Sequence, residues 1–359
     1  MARPTVRKGM PSTLLSKAEF ARRFRQRFYD PAFQPLEDGI AGLAEVAWEA
    51  YRDDRKWPLK RRAGPGWADP DQELSVEWLA AHDAIARAER RQKSAAAKPR
   101  ILLINGSPRS DQTCPGEISK SWRLAKIAEQ VFRRARGFEV ELLDLSRITA
   151  ERSLHIHPCK ACVSTAMPLC HWPCSCYPNH AYAQMNDWMA DIYPMWAAAH
   201  GVMIVTPVHW YQAPTVLKAM IDRLVCADGG NPDPTSTSGK NPAKAKALEN
   251  KGWSYPRHLA GRAFSVVVHG DAVGAETLRR SLSDWLRDMG LISAGHPAEI
   301  DRYVGYYESY AASHLALDAD RAVQEETRNA ARALVAAVKL LRRGKLAQPG
   351  AHLSEPRPK

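Results

Sequence analysis

The chain has no apolar run as long as a membrane span, and its basic N-terminal stretch lacks the apolar segment of a signal peptide, so the cytoplasm is the expected compartment, with no membrane partner. It has no glycine-rich loop ending in Gly-Lys-Ser/Thr and no Gly-x-Gly-x-x-Gly, which disfavours a nucleoside triphosphate and removes the dinucleotide fingerprint. No internal repeat is visible. Cysteine is scarce outside one short segment: five of the seven lie between 159 and 176, while Cys114 and Cys226 stand alone. That distribution argues against a disulfide framework spread over the fold and suits a local thiol or metal cluster.

What is present is enough for a large core. The 359 residues are 45% hydrophobic, which suits one large domain or two medium ones. The formal charge of +12 admits nucleic acid, acidic lipid or an anionic substrate as partner, and residues 1–100 carry 20 Lys/Arg against 14 Asp/Glu. A solvated basic exterior accounts for this. The run Arg22-Arg-Phe-Arg-Gln-Arg27 could touch nucleic acid, but Phe20, Phe24 and Phe28 stand at i, i+4 and i+8 and more simply pack inward, leaving the arginines in water. A nucleic-acid or scaffold binder is therefore the weaker reading.

Residues 1–99 read as a helical N-terminal extension or arm, with helices near 17–29, 36–52 and 74–92 separated by Pro- and Gly-rich breaks. Leu36, Ile40, Leu43, Val46, Ala47 and Tyr51 form an apolar stripe in the second of these. From residue 100 the pattern alternates. Strands are expected at 100–104, 139–144, 201–206 and 263–269, with a weaker fifth around 291–300. Helices fall near 119–136, 186–199, 213–224, 275–289 and 319–341. The fold class is α/β: a doubly wound five-stranded parallel sheet of order 2-1-3-4-5 over 100–341, followed by a disordered tail at 342–359. Ligands in that architecture bind at the carboxyl ends of the strands.

The loops at those ends are unusual. The first strand runs into Asn105-Gly106-Ser107-Pro108-Arg109, and the next helix opens with Ser119-Lys120-Ser121. Three hydroxyls, two cations and a helix N-terminus make an anion cradle, with Gly106 permitting close backbone approach. The third strand runs into Thr206-Pro-Val-His-Trp-Tyr-Gln-Ala-Pro214, where Pro207 and Pro214 stiffen a loop holding three consecutive rings. The fourth ends in Val268-His-Gly-Asp-Ala-Val-Gly-Ala-Glu276, where Gly270 and Gly274 allow close approach. Between the second and third strands, Cys159, Cys162, Cys170, Cys174 and Cys176 have the spacing C-x2-C-x7-C-x3-C-x-C. Four thiolates on a short loop can hold zinc or an iron-sulfur cluster; buried thiols or a redox disulfide fit as well. The Gly/Pro/Asn/Lys-rich insertion at 226–258 suits a lid, a subunit contact or disorder.

These loops resemble those of the NADPH-dependent FMN reductases and iron-sulfur flavoproteins of the flavodoxin-like superfamily. The resemblance covers about 100–300 and rests on Gly106-Ser-Pro-Arg109 and on Thr206-Pro-Val-His209 followed by Leu217-Lys-Ala-Met-Ile-Asp-Arg223. It implies that the first loop holds the FMN phosphate through Ser107, Arg109, Ser119, Lys120 and Ser121. An insertion at 110–116 leaves open whether Thr113, Ser119 or Ser121 takes the family's Ser/Thr role. It also implies that Pro207, Val208, His209, Trp210 and Tyr211 border the flavin. His269, Gly270, Asp271 and Gly274 would touch the ring's far edge. Lys218, Asp222 and Arg223 would support the fold and a dimer. The cysteine spacing departs from the iron-sulfur flavoproteins, which begin C-x2-C-x2-C, so the resemblance leaves the cluster open. The expected function is an FMN-dependent NAD(P)H oxidoreductase, with NADPH or NADH as co-substrate and a quinone, nitro compound, flavin or protein as acceptor. Electron transfer by an iron-sulfur flavoprotein is the alternative, and a homodimer or homotetramer is the expected assembly.

Overall fold

The computed structural model describes residues 9–113, 119–309 and 312–346. Before the main sheet come helices α1 (Lys17–Arg25) and α2 (Glu37–Arg52), a hairpin of β1 (Lys60–Arg62) and β2 (Glu73–Ser75), and helix α3 (Val76–Lys93). Ser16 caps α1, its hydroxyl accepting from Glu19 N. Phe20 packs on Trp48 and Tyr51 of α2, at centroid distances of 5.5 and 5.0 Å. Arg22 and Arg23 pair with Glu19 and Arg25 with Glu37, so part of the basic run is balanced locally. The stripe expected on α2 splits: Ile40 and Tyr51 are buried and Ala47 half-buried, while Leu36, Leu43 and Val46 face water. The hairpin is absent from the helical expectation because its strands are three residues long, too short for a period to register.

The extension lies on the core. Trp78 of α3 donates its indole N–H to Pro173 O at 2.9 Å, and the amides of His180 and Ala181 donate to Lys56 O and Arg55 O. Further on, the amides of Ala68 and Asp69 donate to the side chains of Asp233 and Thr235.

The core then runs β3 (Arg100–Asn105), α4 (Lys120–Arg134), β4 (Glu139–Asp144), α5 (Arg147–Ala150), α6 (Met189–Ala198), β5 (Gly201–Pro207), α7 (Thr215–Arg223), α8 (Pro242–Asn250), β6 (Ala263–Gly270), α9 (Ala275–Asp288), β7 (Ile292–Ser293), β8 (Glu299–Tyr303), α10 (Ser313–Ala319) and α11 (Arg321–Arg342). Strand order is β4-β3-β5-β6, with β7 and β8 both paired to β6, and every pair in this sheet is parallel. This is the flavodoxin-like order 2-1-3-4-5. Its fifth position is shared by two short strands because Gly295, at φ 102°, and Pro297 interrupt the run. Helices cover both faces, which is why β3, β5 and β6 read as continuous apolar segments. Leu102, Ile104, Val202, Ile204, Val266 and Val268 face α6, α7 and α9. Ile101, Leu103, Met203, Val205 and Val267 face α4 and α11. Of the tail expected at 342–359, the part beyond 346 lies outside the described residues.

One polar knot ties the sheet's lower edge together. His200, just before β5, donates its backbone N–H to Arg100 O at 2.8 Å and accepts from Arg100 N on Nδ1 at 3.1 Å. Arg342, at the end of α11, lies 3.3 Å from His200 Nε2 and donates to the carbonyls of Ser94, Ala95 and Ala97. Burial, then the Arg342 charge, pulls the His200 pKa down to about 4. The unfolded ring, near its ordinary 6.5, binds a proton that the folded ring refuses, so this stability is complete above pH 6.5 and is lost as pH falls toward 4. His171, His258 and His269 are also depressed by burial and act in the same direction. We expect the melting temperature to fall on acidification from pH 6.5 to 4.5. His200→Asn, whose carbonyl can still accept from Arg100 N, should show a shallower fall in the same calorimetric series; an unchanged slope would remove His200 from the acid response.

Candidate functional site

Parallel register brings three loops to one edge: Asn105 pairs with Val205, and Pro207 with His269. Between the loops is a cleft of about 120 Å³ lined by Ser107, Arg109, Ser119, Lys120, Ser121, Pro207, Val208, His209, His269, Gly270, Asp271, Ser313 and His314. Eleven of these thirteen residues were singled out from sequence. Thr113, Trp210, Tyr211 and Gly274 are not in the lining. Ser313 and His314 were missed. They come from α10, beyond the fifth strand, where no motif marks a residue as reaching back across the sheet edge.

Ser107 is buried, and its hydroxyl accepts from Arg109 N at 3.2 Å. Ser119 is the N-cap of α4, accepting from Trp122 N at 3.1 Å. Ser121 points inward, with Oγ 2.7 Å from His269 Nε2. Lys120 crosses the cleft to Val304 O at 2.8 Å and pairs with Asp271. Thr113 instead closes its own turn, donating to Ser110 O at 2.7 Å. Gly106 has a packing reason besides the close approach expected of it. A Cβ there would meet Thr206 Oγ1 at 2.8 Å and Leu217 at 3.0 Å, so the glycine lets the first loop pack on β5 and α7. At Gly270 a Cβ would meet Val208 Cγ1 at 2.7 Å, so the second and third loops also close on each other through a missing side chain.

The charges are arranged for an anion, while His209 and His269 are neutral. Burial, then the Lys120 charge, depresses His269 to about 3, and burial, then Arg109, lowers His209. His269 Nδ1 has no hydrogen-bond partner among the described residues, so this buried ring presents one unused polar atom. Hydroxyls, Arg109, Lys120 and the first turn of α4 fit a phosphate. A space of about 120 Å³ is too small for a whole mononucleotide, so the rest of such a ligand would lie outward along the loops.

The loop after β5 ends in a tight turn. His209 and Gln212 exchange both backbone hydrogen bonds at 2.9 Å, and the two residues between them, Trp210 and Tyr211, have φ of 47° and 67°. Positive φ at both central positions is the pattern of a type I′ turn, normally Asn-Gly. Bulky L-residues there cost about 1–2 kcal/mol each.

A larger cleft of about 690 Å³ lies beside β8. Its arginines are paired, Arg279 with Asp301, Arg287 with Glu299 and Arg302 with Glu326, and it lacks the loops that follow β3 and β5, so position at the strand ends rather than volume selects the smaller one.

The cysteines form a second constellation. Cys170, Cys162, Cys176 and Cys174 follow one another in a chain of thiol contacts, and Cys162 is pushed up to about 11, chiefly through its hydrogen bond with Cys170. Cys159 stands apart, its sulfur accepting from Ala161 N at 3.4 Å. The insertion at 226–258 closes over the four. Asn231 exchanges backbone bonds with Cys170 and Trp172, Glu249 accepts from Met167 N, and Lys240 donates to Leu169 O at 2.7 Å with Cys162 Sγ at 3.6 Å. Burial would lower the Lys240 pKa, but the surrounding sulfurs outweigh it and raise it. Arg223 is fully buried beneath, bidentate to Asp187, so its role is structural, as expected. Among the described residues no three Cys, His, Asp or Glu side chains converge as ligands of a single ion.

A family model described as NADPH-dependent FMN reductase matches residues 99–298. The iron-sulfur flavoprotein of Methanosarcina thermophila is 28% identical over 196 residues, covering 55% of this chain and 77% of that protein. Two solved structures are similar at low identity. RosB, with a bound 8-demethyl-8-formylriboflavin-5'-phosphate intermediate, is 12% identical with a TM-score of 0.48, over 73% of this chain and 90% of its own. An NAD(P)H:quinone oxidoreductase from Methanothermobacter marburgensis is 14% identical with a TM-score of 0.37, over 70% and 98%.

The contact between Ser121 and His269 yields a direct test. Ser121→Ala leaves both nitrogens of a buried ring without a partner, and should lower the unfolding free energy by about 1–3 kcal/mol in urea titration. A change within a few tenths would mean that another group satisfies the ring.

Proposed function

The chain belongs to the NADPH-dependent FMN reductase family, and we propose that its β3, β5 and β6 loops hold FMN with the phosphate in the cleft between Arg109 and Lys120. The protein is an FMN-dependent NAD(P)H oxidoreductase. The observation that carries the site assignment is the convergence of Ser107, Arg109, Ser119, Lys120, Ser121, Pro207, Val208, His209, His269, Gly270 and Asp271 on one cleft from three separate loops.

Arg109 and Lys120 balance the phosphate charge, and the hydroxyls of Ser107 and Ser121 supply directed hydrogen bonds at the start of α4. Pro207 and Val208 give the ring a stiff wall. Gly274, at φ 90° and packed under Tyr211, keeps the far wall low. The neutral His209 and His269 provide hydrogen bonds without adding charge. Bound FMN supplies the hydride-accepting and electron-returning chemistry. The polypeptide supplies position, since hydride exchange needs alignment rather than a strong acid. We read the physiological acceptor as a quinone, nitro compound, free flavin or redox protein, and the assembly as a homodimer or homotetramer, for which the exposed Leu43 and Val46 of α2 offer an apolar face.

A second reading is favoured by the four thiols under Lys240. Here Cys162, Cys170, Cys174 and Cys176 carry an iron-sulfur cluster, and the flavin exchanges electrons through it.

One anaerobic preparation tests both. Yellow protein with one FMN per chain, bleached rapidly by NADPH or NADH, is expected, and Arg109→Ala with Ser107→Ala should retain markedly less FMN. Colourless protein without affinity for added FMN would sink the site. A broad visible shoulder, with iron and sulfide near four to four, is the signature of the second reading. Flavin bands alone, with no iron, would remove it. Light scattering on the same sample reads the assembly.

A further inference from the structure

We infer that a cleft between α1, α2 and the segment 180–183, which follows the cysteines, is a binding site for a one- or two-ring aromatic carboxylate. It shares no lining residue with the cleft at the strand ends, so the inference is independent of the flavin reading.

The site follows from an exception on α1. Phe20, Arg23, Phe24 and, on the single turn Gln26–Phe28 that continues the helix, Arg27 stand at i, i+3, i+4 and i+7. These positions make one face, ordinarily apolar where a helix packs on a neighbour. Here two of the four are arginine, and all four line one cleft of about 230 Å³. Phe20 lies against Phe24 at a centroid distance of 6.2 Å and against Tyr51 at 5.0 Å, and Tyr51 meets Tyr182 edge-on at 5.4 Å. Those four rings wall the cleft, with Ala47 as the small residue on the α2 side. The walls are tied together. Leu15 N donates to the Tyr51 hydroxyl at 2.8 Å, and the amides of His180 and Ala181 reach back to the carbonyls of Lys56 and Arg55. No residue of α1 is fully buried, so the helix keeps apolar ring surface for a ligand to cover.

Charge decides the sign of that ligand. No Asp or Glu lines the cleft. Glu19 is shared by Arg22 and Arg23, one carboxylate for two guanidiniums. Arg27 makes no ion pair among the described residues, its guanidinium lying 5.7 Å from the Phe24 ring centroid. His180 is engaged by Glu77 at 3.2 Å. Two arginines beside an aromatic space fit a flat apolar body ending in a carboxylate, which the guanidinium fork matches and the rings stack. An amine would be repelled. The volume is below the roughly 300–1,000 Å³ of sites for drug-sized ligands, which limits the body to one or two rings. A flexible alkyl chain gains less than a rigid ring from such walls because it loses more rotational freedom on binding. Such a ligand would clamp the extension to the chain leaving the cysteine loop.

The test titrates the full-length protein in excess FMN, which keeps the strand-end cleft filled, with 2-naphthoate, 2-naphthylmethylammonium and decanoate in a calorimeter. We expect 2-naphthoate to bind once per chain below about 1 mM, as ordinary ligand efficiency allows for its size. The ammonium should bind at least tenfold more weakly, and decanoate more weakly than naphthoate. Arg27→Gln, at an exposed position, should weaken naphthoate about tenfold, and Ala47→Phe, which fills the cleft, should abolish its binding with FMN content unchanged. Absence of saturable naphthoate binding would overturn the site, as would equal affinity for the ammonium. Affinity unchanged in both variants would place naphthoate elsewhere and overturn it too. Tighter decanoate would replace the aromatic ligand with an alkyl one and overturn the assignment of class.

Discussion

The pairing of β3 with β5 in parallel register is the constraint on which the rest depends. Ile101 opposite Gly201 and Asn105 opposite Val205 set the two strands level, and β6 continues the same level on the far side of β5. Because the strands are level, their three following loops leave the sheet at one height and can share a cleft. Missing side chains then let them close. Gly201 sits against Val338, where a Cβ would come to 2.7 Å, so α11 lies tight on the sheet. Gly106 and Gly270 do the same for the loops. The anion cradle is thus a consequence of register and close packing, and its hydroxyls and cations are added to a geometry already set.

Electrostatics divides the molecule into two buried polar regions with opposite logic. In the cleft Lys120 is paired with Asp271 while burial keeps His209 and His269 neutral, so the site's positive charge comes from Arg109 and Lys120 and not from those two rings. Under the insertion, Arg223 is matched by Asp187, but among the described residues Lys240 pairs with sulfur and carbonyl oxygen rather than with a carboxylate. The buried ammonium only partly offsets the thiol contacts and burial that raise Cys162, Cys170 and Cys174 and keep them neutral. The insertion at 226–258 is therefore a clasp on the cysteine loop, and none of its residues lines the cleft.

The N-terminal extension has its meaning here too. Its Trp78 reaches Pro173, and its backbone at Ala68 and Asp69 is held by Asp233 and Thr235 of the clasp. Extension, cysteine loop and insertion, far apart in the chain, form one body on the flank of the sheet. Stability of the thiol region is in this way shared among segments that each look like an appendage when read along the sequence.

Residue pattern by itself determined the alternation of strands and helices, the sheet order and most of the cleft, because buried strands carry unbroken apolar runs and Ser, Arg, Pro and Gly at strand ends announce loops that approach a ligand. It could not determine what depends on atoms distant in the chain meeting in space. Ser313 and His314 reach the cleft only because α10 folds back over the sheet edge. Four of the five clustered cysteines gather while Cys159 turns away, a choice made by Lys240 and Asn231 from the clasp rather than by spacing. Gly106 reads as a ligand-facing glycine in the chain, and only the fold adds that a side chain there would collide with Thr206. Trp210 and Tyr211 read as rings of a flavin wall, yet backbone closure between His209 and Gln212 forces them into left-handed conformations and turns the indole outward, because local sequence sets preferences while hydrogen-bonded closure decides which of them are overruled.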